Sequence, residues 1–458
     1  MPARRPARSP ARARAGKPPP PAFFSDSDVD PADLRRLVES ATTDPAQFPL
    51  ATSAQSGILL YDARALLDAE TGAARAELAR ALLHGPGIFV VRAAFDRRLV
   101  RRISGAFQRI LDEEAKAGGS SGDHFGKAGE NSRAWSTLEK LARGWPELFV
   151  AYYSNEPLAL ACAAWLGPNY QVTSQLNVVR PGSAAQQPHR DYHLGFGEAA
   201  WAADYPAHAH AAISPSLTLQ ALIAHSDMPI ESGPTCFLPH SHKYAQGYLA
   251  THRPDVQAYF EANAVQLSLG AGDLVCFNPA VIHAAGANRT QGLQRMANLL
   301  QVSSAFGRPM EVIDTARLTL AIYPAILDAA RNPSWTAQHT ANVIAAVAEG
   351  YPFPAMLDAA PPTSAEGRET EATLLATAIE QRWTVTELQR RLSLCESRHR
   401  PPRLPPPSVW AWALRPIAHA LGVRDGWRGL ADGVAKWALA APGAAVRATR
   451  RAVARLVS

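Results

Sequence analysis

The chain has only four cysteines in 458 residues, Cys162, Cys236, Cys276 and Cys395, and no two of them stand at a paired metal-binding spacing. That excludes a disulfide-stapled scaffold and a cysteine-rich zinc module, and it makes a reducing compartment, the cytoplasm, the expected setting. Also missing is any apolar run approaching the roughly eighteen residues that a membrane-spanning helix needs. Acid is missing from the beginning: residues 1–17 hold six Lys or Arg and no Asp or Glu. The end is nearly as one-sided, with ten Arg and one Lys against Asp425 and Asp432 over residues 398–458. Taking these +6 and +9 blocks out of the net +6 leaves residues 18–397 at −9, an acidic middle between two basic ends.

The hydrophobic fraction of 47% is enough for a substantial core. The opening MPARRPARSPARARAGKPPPP has too much proline for a helix and no periodic apolar face, so residues 1–25 read as a disordered basic tail. Asp30-Pro31 then opens a helix to about Ser40, with Asp as cap and Pro in the first turn. A second helix is expected over about Ala73 to His84, a strand in HGPGIFVVRAAF, and a helix from Asp96 to Ala115. QVTSQLNVVRPG alternates like a strand. Leu274 to Phe277, introduced by Gly270, Gly272 and Asp273, reads as another. Beyond Arg308 the texture is helical, as in TANVIAAVAE and TEATLLATAIEQRW, and nothing there looks catalytic.

The informative residues are His189-Arg190-Asp191, answered by His283 in GDLVCFNPAVIHAAGANRTQGLQR. In an extended segment, residues 189 and 191 face the same way. Two histidines and one carboxylate can occupy three positions on one face of ferrous iron and leave the others open. His193 shares their parity, but a fourth protein ligand would block a position that oxygen chemistry needs, so it is expected beside the metal set or against substrate.

Together with Gln187-Pro188-His189-Arg190-Asp191-Tyr192-His193 and the intervening ESGPTCFLPHSHKY, this sequence resembles the phytanoyl-CoA dioxygenase family of iron(II)- and 2-oxoglutarate-dependent enzymes over about residues 80 to 305. The resemblance implies an α+β fold: a double-stranded β-helix (a cupin-like jelly roll) buttressed by helices, with a helical C-terminal extension. It implies His189, Asp191 and His283 as iron ligands, with 2-oxoglutarate and O2 as co-substrates. The expected reaction is hydroxylation of a C–H bond in a small organic substrate, with 2-oxoglutarate decarboxylated to succinate. Related halogenases lack the carboxylate ligand, and Asp191 argues against that chemistry.

The co-substrate's distal carboxylate calls for a guanidinium, which pairs with it through two parallel hydrogen bonds. The family carries an arginine a little over ten residues after the second histidine; Arg295 lies twelve after His283 and Arg289 six after. Aligning Asn288 to Gly292 with the family pattern puts Gln294 at the expected position and Arg295 one step on. Arg295 is preferred because it opens the alternating run RMANLLQV. Gln175 and Asn177 have matching parity and are expected to project toward the co-substrate. Lys127, in SSGDHFGKAGENSR, resembles a family lysine that approaches it. His240 stands where the family turn usually has glycine, and the His240-Ser241-His242 spacing is read as a structural turn rather than a metal site.

The expected organisation is a basic tail to residue 25, a jelly-roll dioxygenase domain over 26–308 and a helical extension over 309–397 that packs on the core or forms a dimer surface. A Pro-rich linker over 398–407 and a basic amphipathic helical tail over 408–458 follow. Trp410, Trp412, Trp427 and Trp437 interleave with Arg in that tail. Its candidate partners are an anionic membrane surface and the enzyme's own acidic body, with nucleic acid less favoured. A non-catalytic relative, acting as a scaffold through its basic tails, is the alternative reading. Neither the substrate's identity nor the oligomeric state is legible.

Overall fold

The computed structural model describes residues 21–117, 131–197, 199–358 and 360–399. Lys127, most of the N-terminal tail, and the linker and amphipathic tail from residue 400 onward lie outside the described residues.

Among the described residues there are ten strands: β1 Ser53–Gln55, β2 Ile58–Asp62, β3 Ile88–Arg92, β4 Asn131–Ala134, β5 Gln171–Val179, β6 Thr218–Ala224, β7 Cys236–Phe237, β8 Leu274–Phe277, β9 His283–Ala284 and β10 Arg295–Ser303. Eight form one mixed sheet in the order β1-β2-β3-β8-β6-β10-β5-β4, in which β2 and β3 run parallel and the other neighbours antiparallel. A second, smaller layer is built around β7 and β9, and single bridges from Phe237 to Val265 and from His189 to His283 widen it to four extended segments.

Strand periodicity decides what each face of the large sheet meets. Leu59, Tyr61, Phe89, Val91, Leu219, Ala221, Ile223, Leu300 and Val302 point into one large core packed with helices. Their alternates Ile58, Leu60, Ile88, Val90, Leu222 and Ala297 point the other way, toward Phe237 of the small layer. A sheet buried on both faces explains the nearly continuous apolar runs of β3 and β6. Helices therefore cover one face, and the space between the sheets is left for a site.

The expected helices are present. Asp30 caps Pro31–Ser40 by accepting from the Ala32 N–H at 2.9 Å, and Asp96 caps Arg97–Lys116 through the N–H groups of Arg98 and Leu99. Thr71–Leu83 and β3 lie where the sequence puts them, and β8 matches Leu274 to Phe277 residue for residue. The helices Thr315–Ala329, Ala337–Val347, Glu371–Gln381 and Val385–His399 contribute Leu318, Ile322, Val343, Leu375 and Leu388 to the same large core as the sheet.

Candidate metal centre

His189 and His283 are brought together by backbone before any side chain is involved. They form a directly opposed antiparallel pair, His189 N–H to His283 O at 2.9 Å and the reverse at 3.0 Å. The Asp191 N–H extends the contact to the Pro279 carbonyl at 3.1 Å. The result is a cluster in which one donor atom from each of His189, Asp191 and His283 lies within 4.8 Å of the others, the only such group of His, Cys, Asp and Glu among the described residues. His189 Nε2 is 3.8 Å from Asp191 Oδ1, and His283 Nε2 is 3.7 Å from Asp191 Oδ2.

Both imidazoles are held in the tautomer a ligand requires. His189 Nδ1 faces the Gln187 carbonyl at 2.8 Å and His283 Nδ1 faces that of Val281 at 3.0 Å. A carbonyl only accepts, so Nδ1 carries a proton and Nε2 is the nitrogen left to face Asp191 and, when deprotonated, a metal. Burial, and next the neighbouring His283, push His189 below its ordinary range, which keeps the ring neutral. Burial opposes ionisation of Asp191, but His189, His283 and the Gln220 amide outweigh it and hold the carboxyl well below the usual carboxylate range. Two imidazole nitrogens and one carboxylate oxygen, converging from a rigid ladder, fit a divalent first-row metal. Phe277 stands edge-on to the His283 ring at 4.8 Å and shields it.

The cluster lies in the wall of a solvent-connected cavity between the two layers. Gln175 and Asn177 of β5 and Ala297, Leu299 and Gln301 of β10 line it, with Gln220 and Leu222 of β6 and Phe277 of β8. The ladder register explains the selection, since Asn177 opposes Ala297, Gln175 opposes Leu299, and Gln301 opposes Gln220, which in turn opposes Phe277. Gln175 and Asn177 thus share the cavity-facing side of β5.

Arg295 lines the same cavity. It is 4% exposed, and no carboxylate among the described residues pairs with it. Burial pushes its guanidinium down to about 10, still protonated at neutral pH. Gln294 is exposed just before the strand, and β10 begins at Arg295. Arg289 is exposed on the preceding loop and is not part of the cavity lining.

His193 departs from the expectation of shared parity. The extended segment ends at Asp191 and a 3-10 turn covers His193–Phe196, so His193 swings to Thr218 Oγ1 at 3.3 Å, away from the cavity lining. His193→Ala is expected to leave metal stoichiometry at the wild-type value in a cobalt(II) titration; loss of metal would return it to the ligand set. His240 takes a left-handed backbone, φ +66°, so the family's glycine position keeps its geometry without glycine. His240 and His242 stand apart from the cluster, His240 beside Thr43 and Lys243 and His242 facing the Leu83 carbonyl.

Arg190, between the two ligand positions, points to the other side. Its Nη2 donates to the carbonyls of Ser241 and Tyr244 at 2.5 and 2.8 Å, and its guanidinium lies 5.1 Å from the centre of the Tyr248 ring. A methyl group on Gly247 would overlap that guanidinium. Gly247→Ala is expected to cost about 1–3 kcal/mol by overpacking, read as a lower denaturation midpoint.

Sequence reasoning missed Gln220, Arg133 and Gln301. Gln220 had a signal, being the one amide in the apolar run TLQALIA. Arg133, on β4 opposite Asn177, is buried in the cavity wall and donates from Nη1 to Gln175 Oε1 at 3.1 Å; nothing in NSRA announced it.

Residues 83–297 match the family model described as phytanoyl-CoA dioxygenase. No curated protein matches the sequence. Among solved structures, the chain is similar to SnoK, a non-heme α-ketoglutarate-dependent carbocyclase from nogalamycin biosynthesis, at 20% identity and TM-score 0.39, covering 56% of this chain and 91% of that one. The epimerase SnoN from the same biosynthesis gives 17% identity and TM-score 0.34 over 60% of this chain and 82% of that one. HygX from Streptomyces hygroscopicus, with nickel and 2-oxoglutarate bound, gives 14% and 0.35 over 52% and 90%. No helix among the described residues is long and apolar enough to cross a membrane.

Proposed function

We propose, from the premise that residues 83–297 form a domain of the phytanoyl-CoA dioxygenase family, that the chain is an iron(II)- and 2-oxoglutarate-dependent dioxygenase that hydroxylates a C–H bond of a small organic substrate. The observation that carries this reading is the placement of the His189–Asp191–His283 cluster and the buried Arg295 in one cavity wall. The reaction takes substrate, 2-oxoglutarate and O2 to hydroxylated substrate, succinate and carbon dioxide. We read the two layers of the fold as a jelly roll within a domain spanning 26–308, and 309–397 as a helical extension.

His189, Asp191 and His283 would hold the iron. When bound, the metal supplies the oxygen-activating redox chemistry that protein side chains lack. Arg295 pairs with the distal carboxylate of 2-oxoglutarate in a bidentate contact strengthened by burial. Gln175 and Asn177 offer amides to its oxygens from the adjacent strand. Phe277, Leu222 and Leu299 keep water from the enclosed wall, and Phe196 stands at the exposed side of the cavity. A buried, cavity-facing Arg295 weighs against the alternative of a non-catalytic scaffold.

Purified protein supplied with iron(II) and 2-oxoglutarate is expected to form succinate and to convert a metabolite to a product heavier by one oxygen, read by mass spectrometry. Succinate formation with a product of unchanged oxygen count would replace hydroxylation by another oxidation at the same site. Failure to bind 2-oxoglutarate would remove the co-substrate reading.

A further inference from the structure

Asp191 is tied by a hydrogen bond from Gln220 Nε2 to its Oδ2 at 2.6 Å. The orientation of that amide is not open to the usual ambiguity between nitrogen and oxygen. An ionised carboxylate offers acceptors only, so the amide must present its N–H. The same nitrogen reaches Gln301 Oε1 at 3.4 Å, a second acceptor on the same side. Gln220 itself is held in the middle of β6, paired with Gln301 on one flank and Phe277 on the other. It is 3% exposed, in a strand whose other residues are apolar apart from Thr218 at its start. A buried amide is costly there unless its hydrogen bonds are made; Nε2 has its two acceptors, while Oε1 has no partner among the described residues.

The terminal torsion of an aspartate is broad and two-fold, so nothing in the side chain alone decides which oxygen faces where. Gln220 removes that freedom. With Oδ2 engaged, Oδ1, 3.8 Å from His189 Nε2, accepts no amide N–H among the described residues, while Oδ2 lies 3.7 Å from His283 Nε2. We infer that Gln220 is a positioning residue that sets the rotation of the Asp191 carboxylate and leaves Oδ1 for the metal. This rests on the reading of Asp191 as a ligand.

The test is a cobalt(II) titration of the metal-free full chain, followed by ligand-field absorption and by thermal denaturation without metal. Removing the N–H in Gln220→Met, unbranched and similar in length, is expected to weaken cobalt(II) binding by about 10- to 100-fold, the usual range for groups that orient a ligand, and to change the absorption bands. Gln220→Leu should do the same, and either variant carries the test if the other does not fold. A purely structural role would shift the denaturation midpoint and leave the cobalt(II) affinity and spectrum of the folded variant at wild-type values, and that result overturns the inference. If the unmodified chain takes up no cobalt(II), the ligand reading itself fails, which separates the two failures.

Discussion

Asp191→Ala is expected to abolish both metal uptake and succinate formation, and His189→Ala and His283→Ala to do likewise. A three-donor site has no spare ligand. The loss of a donor should exceed the roughly 10- to 100-fold penalty associated with groups that only orient donors. Of the three, Asp191→Ala is the most informative, because it leaves the two histidines on their shared ladder and removes the only negative charge in the cluster. Cobalt(II) titration and a succinate assay on the same preparations measure the effect. Full turnover by Asp191→Ala would show that the metal set has been misassigned.

Arg295→Ala is expected to raise the 2-oxoglutarate requirement by about 30-fold to a few thousand-fold. This corresponds to the roughly 2–5 kcal/mol lost when one partner of a buried charge pair is truncated. Arg289, exposed on its loop, should change the apparent affinity little when replaced by Ala. Titrations of co-substrate against both variants decide the matter, and the opposite ranking would move the role to Arg289. At 4% exposure Arg295 has no solvent to replace a missing partner, so the penalty should persist at raised salt, whereas an effect at Arg289 would be screened.

The cluster was legible because its signals are local. Alternation puts residues 189 and 191 on one side, and a strand followed by a turn positions His283. Gln175 and Asn177 were legible for the same reason, since a regular nine-residue strand preserves parity along its length. Parity does not place His193 because a 3-10 turn two residues after Asp191 breaks the period, and the glycines that signal the turn, Gly195 and Gly197, lie beyond the break. Arg133 was invisible because its importance comes from the pairing of β4 with β5, a contact across more than forty residues that no local pattern encodes. The helix Thr315–Ala329 runs through Pro324, where a sequence rule would end it. Packing of Leu318, Ile322 and Ile326 into the main core overrides the local penalty.

The reciprocal hydrogen bonds between His189 and His283 bear on how the protein would acquire its metal. Because the ligand positions are ladder neighbours, the cage is assembled by folding itself and does not wait for an ion to draw it together. With only three donors fixed and the remaining positions open, the cage has little means of rejecting an ion by coordination geometry, and its affinities should follow the intrinsic order of the divalent ions, with nickel and copper above iron. The proposed iron would then be maintained by cellular supply rather than by thermodynamic preference. Exposure to more competitive ions, during purification or metal stress, would leave the protein mismetallated and correctly folded.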